Sequence, residues 1–480
     1  MKKTIITTLA LTPLFVLSSS FVSCQKVYEE GQVVPKTISR IVSVSTECAD
    51  IPEVKSLYES GVGVHLTNKE YMSVYYAAND GDRTLSGLST QILGTPDGNG
   101  NWTFSHSAIS GAESYDYAFV LPYTSKNELP GNKKQVKLRL YCVQYPSATS
   151  FDPNMDFLIG KARFGESQAS AVEAVSFKRL FAPVKLELSD EANVLGTEKI
   201  HAVSFALDKT ATKNDALVGM AYVDLGEDYD AAKIGQFATD KNNSVSSENF
   251  GNSVTALNAA GIEKTGGVYN VWYIMNPSEI PAGTSLTVTV TSDTKTITRT
   301  VTLPSVAVVK DKINVIPFNI SGSGCVVETS AYCDFSVASA VSNDDPTASL
   351  SDLTASDGTT PLSAVGCTVW KDNGKSQYPQ ALRVAYDNGT KGVITINPAS
   401  GKTVSRVRVY THPVIGFNSS KLELNADGAA LATEDVVYAG VSANAGFIDF
   451  VVPEEKSGSS LTVSRKDANS WISGMTVFYK

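Results

Sequence analysis

Short runs in which every second residue is apolar dominate the chain from Thr37 onward. Thr37 to Thr46 reads TISRIVSVST, with Ile38, Val42 and Val44 on one face and Arg40 interrupting that face. The same grammar recurs at Val62, Val64 and Leu66 and at Met72, Val74 and Tyr76. It returns at Tyr115, Tyr117, Phe119 and Leu121, and again at Val136, Leu138, Leu140 and Cys142. Each run places apolar side chains on one side of a strand, as expected when one face is buried. Turn-forming stretches separate them: Asn79-Asp80-Gly81-Asp82, Thr95-Pro96-Asp97-Gly98-Asn99-Gly100 and Leu129-Pro130-Gly131-Asn132. The pattern predicts a β-sandwich over residues 37–174.

A second sandwich is expected over 175–322. Val175, Phe177, Val184, Leu186 and Leu188 read as one long strand bent at Pro183. Val203, Phe205 and Leu207, then Val218, Met220 and Tyr222, continue the alternation. Val271 to Met275 is a continuous apolar run, suited to a strand buried on both faces. Leu286 to Val290 and Ile297 to Leu303 predict a hairpin about Ser292-Asp293. Tyr229 to Phe237 and Ser253 to Ala260 read as short helices. Ser321-Gly322-Ser323-Gly324 marks a break. Beyond it, strands at Ala381–Ala385, Gly392–Asn397, Val404–Thr411, Leu422–Leu424, Phe447–Val452, Leu461–Ser464 and Met475–Tyr479 predict a third sandwich or jelly roll over 325–480. The fold class is all-β throughout.

The N-terminus has a different character. Met1-Lys2-Lys3 is a positive start, and Thr4 to Leu17 is apolar but too short for an ordinary membrane span. Small residues then lead to Phe21-Val22-Ser23-Cys24, which resembles a bacterial lipoprotein signal with Phe21 in place of the usual Leu. Residues 1–23 are thus expected to be a signal peptide, Cys24 a lipidated N-terminus at the outer membrane, and 24–36 a tether. The 480 residues carry a net charge of −9 without a dense basic cluster, which argues against a nucleic-acid partner. Six cysteines include neither a CxxC nor a Cys/His cluster, so no metal or other cofactor is expected. A bridge among Cys325, Cys333 and Cys367 is open.

Several stretches together resemble the fimbrillin family of Bacteroidales, the lipoprotein pilins. They are the lipobox, Gly61-Val62-Gly63-Val64, Tyr115-Asp116-Tyr117 leading to Leu121-Pro122-Tyr123, and Met155-Asp156-Phe157-Leu158. Val175-Ser176-Phe177-Lys178-Arg179-Leu180 and Pro183-Val184-Lys185-Leu186 complete the set, over roughly residues 37–320. The resemblance implies strand exchange. A trypsin-like protease cuts after a basic residue, the first strand leaves, and an extended segment of a neighbouring subunit fills the groove. Lys36, Arg40 and Lys55 are the candidate cleavage residues; Ile38, Val42 and Val44 are the inward face of the candidate displaced strand. The implied partners are other fimbrillin-like subunits, and the membrane through the lipid before processing.

Stalk subunits of that family end in an extended donor tail, whereas here a further domain of about 150 residues follows Ile320. That topology suggests a tip position and adhesion to a surface glycan or protein receptor. The third unit also resembles galactose-binding-like jelly rolls at Thr395-Ile396-Asn397-Pro398, Lys402-Thr403-Val404 and Trp471 to Val477. A sugar site needs a flat aromatic and polar groups to fix hydroxyls. Trp370, Tyr378, Tyr410, His412 and Trp471 are the possible platforms, with Asp372, Asn373, Asn418 and Asn469 as polar partners. Trp370 and Tyr378, flanking Lys371-Asp372-Asn373-Gly374, are the pair expected to be exposed. Asp97, Asn99 and Asn101 imitate a calcium loop, but Trp102 and Ala108 occupy positions that need Gly and Glu. His65, His106, His201 and His412 stand apart, and no G-x-S-x-G, phosphate loop or H-E-x-x-H occurs. The expected function is a fimbrial subunit and tip adhesin rather than an enzyme. A surface-anchored glycan-binding lipoprotein that never polymerises is the alternative.

Overall fold

The computed structural model describes residues 36–46, 70–79, 91–123, 135–165, 172–209, 216–224, 250–310, 312–336, 353, 355–370, 381–384, 386–387, 390–398, 400–412, 420–436, 446–467 and 469–480. Strands dominate them, and residues 37–480 form one compact unit. Among the described residues, no helix is long and apolar enough to cross a membrane.

The first strands are β1 (Thr37–Thr46), β2 (Met72–Ala78), β3 (Ile92–Pro96), β4 (Asn101–Ser107) and β5 (Ser114–Leu121). They are followed by β6 (Gln135–Leu140), β7 (Val143–Gln144), β8 (Leu158–Gly165) and β9 (Val172–Arg179). Seven of them close a barrel in the order β1-β4-β3-β2-β5-β8-β9. Alternation sets its lining: Trp102, Phe104 and His106 of β4 point inward while their neighbours face out. Tyr115, Tyr117 and Phe119 of β5, Phe164 of β8 and Val175 and Phe177 of β9 complete an aromatic interior. β2 and β5 are buried on their outer faces as well. Tyr75, Ala77, Ala118 and Val120 pack into the core of the second unit, so these strands are not one-sided.

Two segments cross from the first unit into the second. β6 pairs with β12 (Val218–Asp224), and β7 pairs with β14 (Ser253–Ile262). The bent strand expected over Val175–Leu188 is two strands. β9 belongs to the barrel; β10 (Ala182–Ser189) lies between β15 (Val268–Met275) and β20 (Asn314–Asn319). The boundary expected at 174/175 therefore falls inside β9. The helix expected over Ser253–Ala260 is strand β14, held by β11 (Ile200–Asp208) and β7; its apolar residues serve two buried faces, which blurs the period. Tyr229–Phe237 lies outside the described residues. β13 (Phe250–Gly251) pairs with β12, and β16 (Ser278–Ile280) with β19 (Val306–Val308). The expected hairpin is β17 (Ser285–Ser292) and β18 (Lys295–Thr302).

The third unit opens with β21 (Val326–Asp334), β22 (Leu362–Val365), β23 (Cys367–Trp370), β24 (Ala381–Val384), β25 (Tyr386–Asp387), β26 (Thr390–Lys391) and β27 (Val393–Ile396). It ends with β28 (Val404–Thr411), β29 (Ser420–Ala426), β30 (Ala429–Val436), β31 (Phe447–Val451), β32 (Leu461–Arg465) and β33 (Ser470–Tyr479). One sheet runs β22-β27-β32-β29-β30. It packs Leu362, Ile394, Leu424 and Val463 against Val384, Val407, Val409 and Val477 of the other. That second sheet does not stop at the domain edge. Residues 326–329 of β21 pair with β18, and residues 329–334 pair with β33, so one continuous sheet spans the second and third units.

Candidate functional site

The seat of β1 is the most informative feature of the barrel. β1 runs antiparallel to β4, from Thr37 opposite Ser107 to Ser43 opposite Asn101. On its other side it runs parallel to β9, from Ile41 beside Val172 to Thr46 beside Phe177. Both of its edges are therefore hydrogen-bonded along part of their length. Ile38 and Val42 are buried in the barrel, Val42 directly opposite Trp102. Val44 pairs with Val175 through its backbone; its side chain lies outside the described residues. Two fully buried aliphatic side chains contribute roughly 3–6 kcal/mol to holding the strand.

Arg40 shares that inward face and is only 1% exposed. It lies opposite Phe104. Its Nη2 donates to the Gly165 carbonyl at 2.8 Å and Nη1 to the Ser39 carbonyl at 3.1 Å, while Nε has no partner. Among the described residues no carboxylate forms an ion pair with it. Nearby, the His106 imidazole sits 2.7 Å from the Tyr117 hydroxyl and 2.9 Å from the Ser107 carbonyl. Burial, with a smaller push from the Arg40 charge, holds His106 below its ordinary pKa. The neutral ring then donates from Nδ1 to Ser107 and accepts from Tyr117 at Nε2. Burial raises the Tyr117 phenol, and the Arg40 charge pulls it back part of the way.

Lys36 is exposed immediately before β1. Arg40 is in the middle of a paired strand. Lys55 and Cys24 lie outside the described residues, as do Gly61 to Val64. Residues 47–71 separate β1 from β2 in the sequence.

The proposed sugar residues divide in a similar way. Trp370 ends β23, its backbone paired with Ala381, but its side chain and Asp372, Asn373 and Tyr378 lie outside the described residues. Asn418 does too. Tyr410 and His412 are buried, and Tyr410 packs into the second unit's core. Trp471 is half-buried with the Arg383 guanidinium 6.0 Å from its ring, and Asn469 accepts from Arg465 at 2.7 Å. Asp97 accepts from the Asn99 and Asn101 N–H groups, an Asx turn joining β3 to β4. Among the described residues no cluster of three metal-ligating side chains occurs, and Cys325, Cys333 and Cys367 are free thiols.

The last strand, β33, is held on both sides by β21, β24 and β28, and the Lys480 N–H donates to the Thr403 carbonyl at 2.9 Å. Sequence reasoning missed that β21 closes the edge of β18. It also missed two polar fixtures at the junction of the first two units. The Gln144 amide donates to the Ile274 carbonyl and accepts from the Ile274 N–H, mimicking a strand. Asp156 holds Arg179 in a buried bidentate pair. Only Arg40 had a visible signal, a charge on an apolar face.

No protein-family model matches the chain, and no curated protein matches it. Among solved structures, it is similar to a candidate cell adhesion protein from Bacteroides ovatus, at 14% identity over 62% of this chain and 96% of that one, with a TM-score of 0.34. It is also similar to a fimbrial protein from Bacteroides vulgatus, at 10% identity over 61% and 98%, TM-score 0.27. A third is the fimbrial anchor protein Mfa2 from Porphyromonas gingivalis, at 12% identity over 53% and 78%, TM-score 0.25.

Proposed function

We propose that the chain is a fimbrial subunit, held first at the outer membrane by lipid on Cys24, in which β1 is a removable strand. The observation that carries this reading is the seat of β1: a strand in the wall of a closed barrel, continued along the chain into β2 through residues 47–71. Removing it exposes the outer hydrogen-bonding edges of β4 and β9 together with an aromatic interior, a surface that accepts an extended strand from another polypeptide. The three candidate cuts differ in consequence. Cleavage after exposed Lys36 leaves β1 in place, and cleavage after Arg40 requires opening a paired strand. Cleavage after Lys55 frees β1 whole, and we assign processing there.

A tip position is supported by the way the third unit is built into the sheet. Residues 470–479 are built into a sheet on both sides, and β21 is laid along β18, so neither strand is free to leave as a donor. The third unit is then the adhesive part, with Trp370, Asp372, Asn373 and Tyr378 as the proposed glycan contacts. N-terminal sequencing of protein recovered from cells tests the first claim: a start at Ser56, abolished by Lys55→Ala, is expected. A lipidated Cys24 on every copy would instead identify a surface-anchored glycan-binding lipoprotein that does not polymerise. Glycan-array binding lost in a Trp370→Ala/Tyr378→Ala chain tests the second, and unchanged binding would refute those contacts.

A further inference from the structure

The removable-strand reading says that β1 leaves; it does not say why an incoming strand should win, since both fill the same groove. A difference lies at one position. Every other described inward-facing residue of β1 is aliphatic, whereas Arg40 brings a full charge into the barrel. Its guanidinium is buried, meets two backbone carbonyls and the Tyr117 hydroxyl and, among the described residues, no carboxylate, and leaves Nε unpartnered. A buried cation without a counter-charge among the described residues carries a large desolvation cost that neutral acceptors offset only in part. Among the described residues, the groups around it form no ion pair with it. His106 is neutral, Tyr117 spends its proton on His106, and Phe104 and Phe164 are apolar. Asp116, the nearest acidic neighbour in β5's sequence, is taken by Arg163 at 2.5 Å.

Resting on that reading, we propose that Arg40 makes β1 a deliberately poor plug, and that the barrel is selective for a partner strand with an uncharged side chain at this register. The partner is an extended segment of another polypeptide, antiparallel to β4 and parallel to β9. It carries apolar residues at the positions of Ile38 and Val42, and an aliphatic residue or methionine opposite Phe104. Such a strand gains the same backbone ladder and the same aliphatic burial without burying a charge. It therefore outcompetes β1 in the seat β1 was cut from.

Two measurements on the full-length protein test this. The uncleaved chain carrying Arg40→Met should melt higher than wild type, whereas Arg40→Lys, which keeps the charge, should not. After cleavage between β1 and β2, synthetic ten-residue strands of the sequence of residues 37–46, with Arg or with Met at the fourth position, are added to compete for the groove. The Met strand should displace native β1, and its release should be about tenfold or more slower than that of the Arg strand. An Arg40→Met chain that melts lower, or equal release of the two strands, would overturn the proposal and make Arg40 an ordinary anchor. Failure of β1 to leave at all after cleavage would refute the removable-strand reading instead, and the melting result would stand apart from it.

Discussion

The pair Asp156–Arg179 sits where the barrel gives way to the second sandwich. Arg179 is the last residue of β9, and the next N–H, that of Leu180, donates to the Phe157 carbonyl at 2.9 Å. The guanidinium reaches Asp156 through Nε at 2.7 Å and Nη2 at 3.1 Å, with side chains 4% and 0% exposed, and lies 5.6 Å from the Phe151 ring. Asp156→Ala strands a buried cation and Arg179→Met takes the cation from a buried carboxylate, and each should cost about 3–5 kcal/mol. The double variant Asp156→Leu/Arg179→Met removes both charges together and should recover most of that loss. For cooperative unfolding of residues 37–480, an unfolding entropy of about 2.1 cal/mol/K per residue gives roughly 0.9 kcal/mol/K. The single variants should then melt about 3–5 °C lower, and the double variant within about 1–2 °C of wild type. Scanning calorimetry of the four proteins reads this directly. Single variants within about 1 °C of wild type, or a double variant as weak as the sum of the singles, would show that the pair is not the junction's charge clamp.

Gln144→Leu should destabilise the chain by about 2–5 kcal/mol, because the buried Ile274 N–H and C=O both lose the amide that pairs them; an unchanged denaturation midpoint would refute this role. Asp357 accepts from the Thr359 and Thr360 N–H groups and hydroxyls and from Lys402, and these donors, working against burial, hold its carboxyl below the usual 3.8. A depressed folded pKa stabilises above the unfolded value, so Asp357→Asn should be less stable than wild type at neutral pH, the gap closing as pH falls below 3.8. A gap that widens in acid would sink that assignment. In native protein a thiol reagent should label half-buried Cys325 ahead of Cys142, Cys333 and Cys367; burial pushes the Cys367 thiol up to about 12 and Cys333 higher still. Peptide mapping that found Cys333 or Cys367 labelled first would contradict the packing.

How far the sequence could be read depended on the kind of question. Alternation correctly named β2, β5, β11, β28 and the β17–β18 hairpin; in β2 and β5, buried on both faces, the larger apolar residues still recur at every second position. It failed at β14, where both faces are buried, and at β9 and β10, where an unbroken run of good strand residues hides a change of sheet at Leu180 and Phe181. Periodicity names a buried face, but not the strand that will lie beside it. Hence β6, read with the first unit, pairs in the second, and β21 is shared between β18 and β33.

What the residues alone determined is an all-β chain with an early strand and one misplaced charge in it. Those follow from composition, spacing and side-chain type. Only the tertiary structure decided that this strand closes a barrel, that its charge goes inside with no ion pair among the described residues, and that the third unit is joined to the second by a continuous sheet. Each depends on hydrogen bonds between segments far apart in the chain, and no local preference encodes the choice of partner.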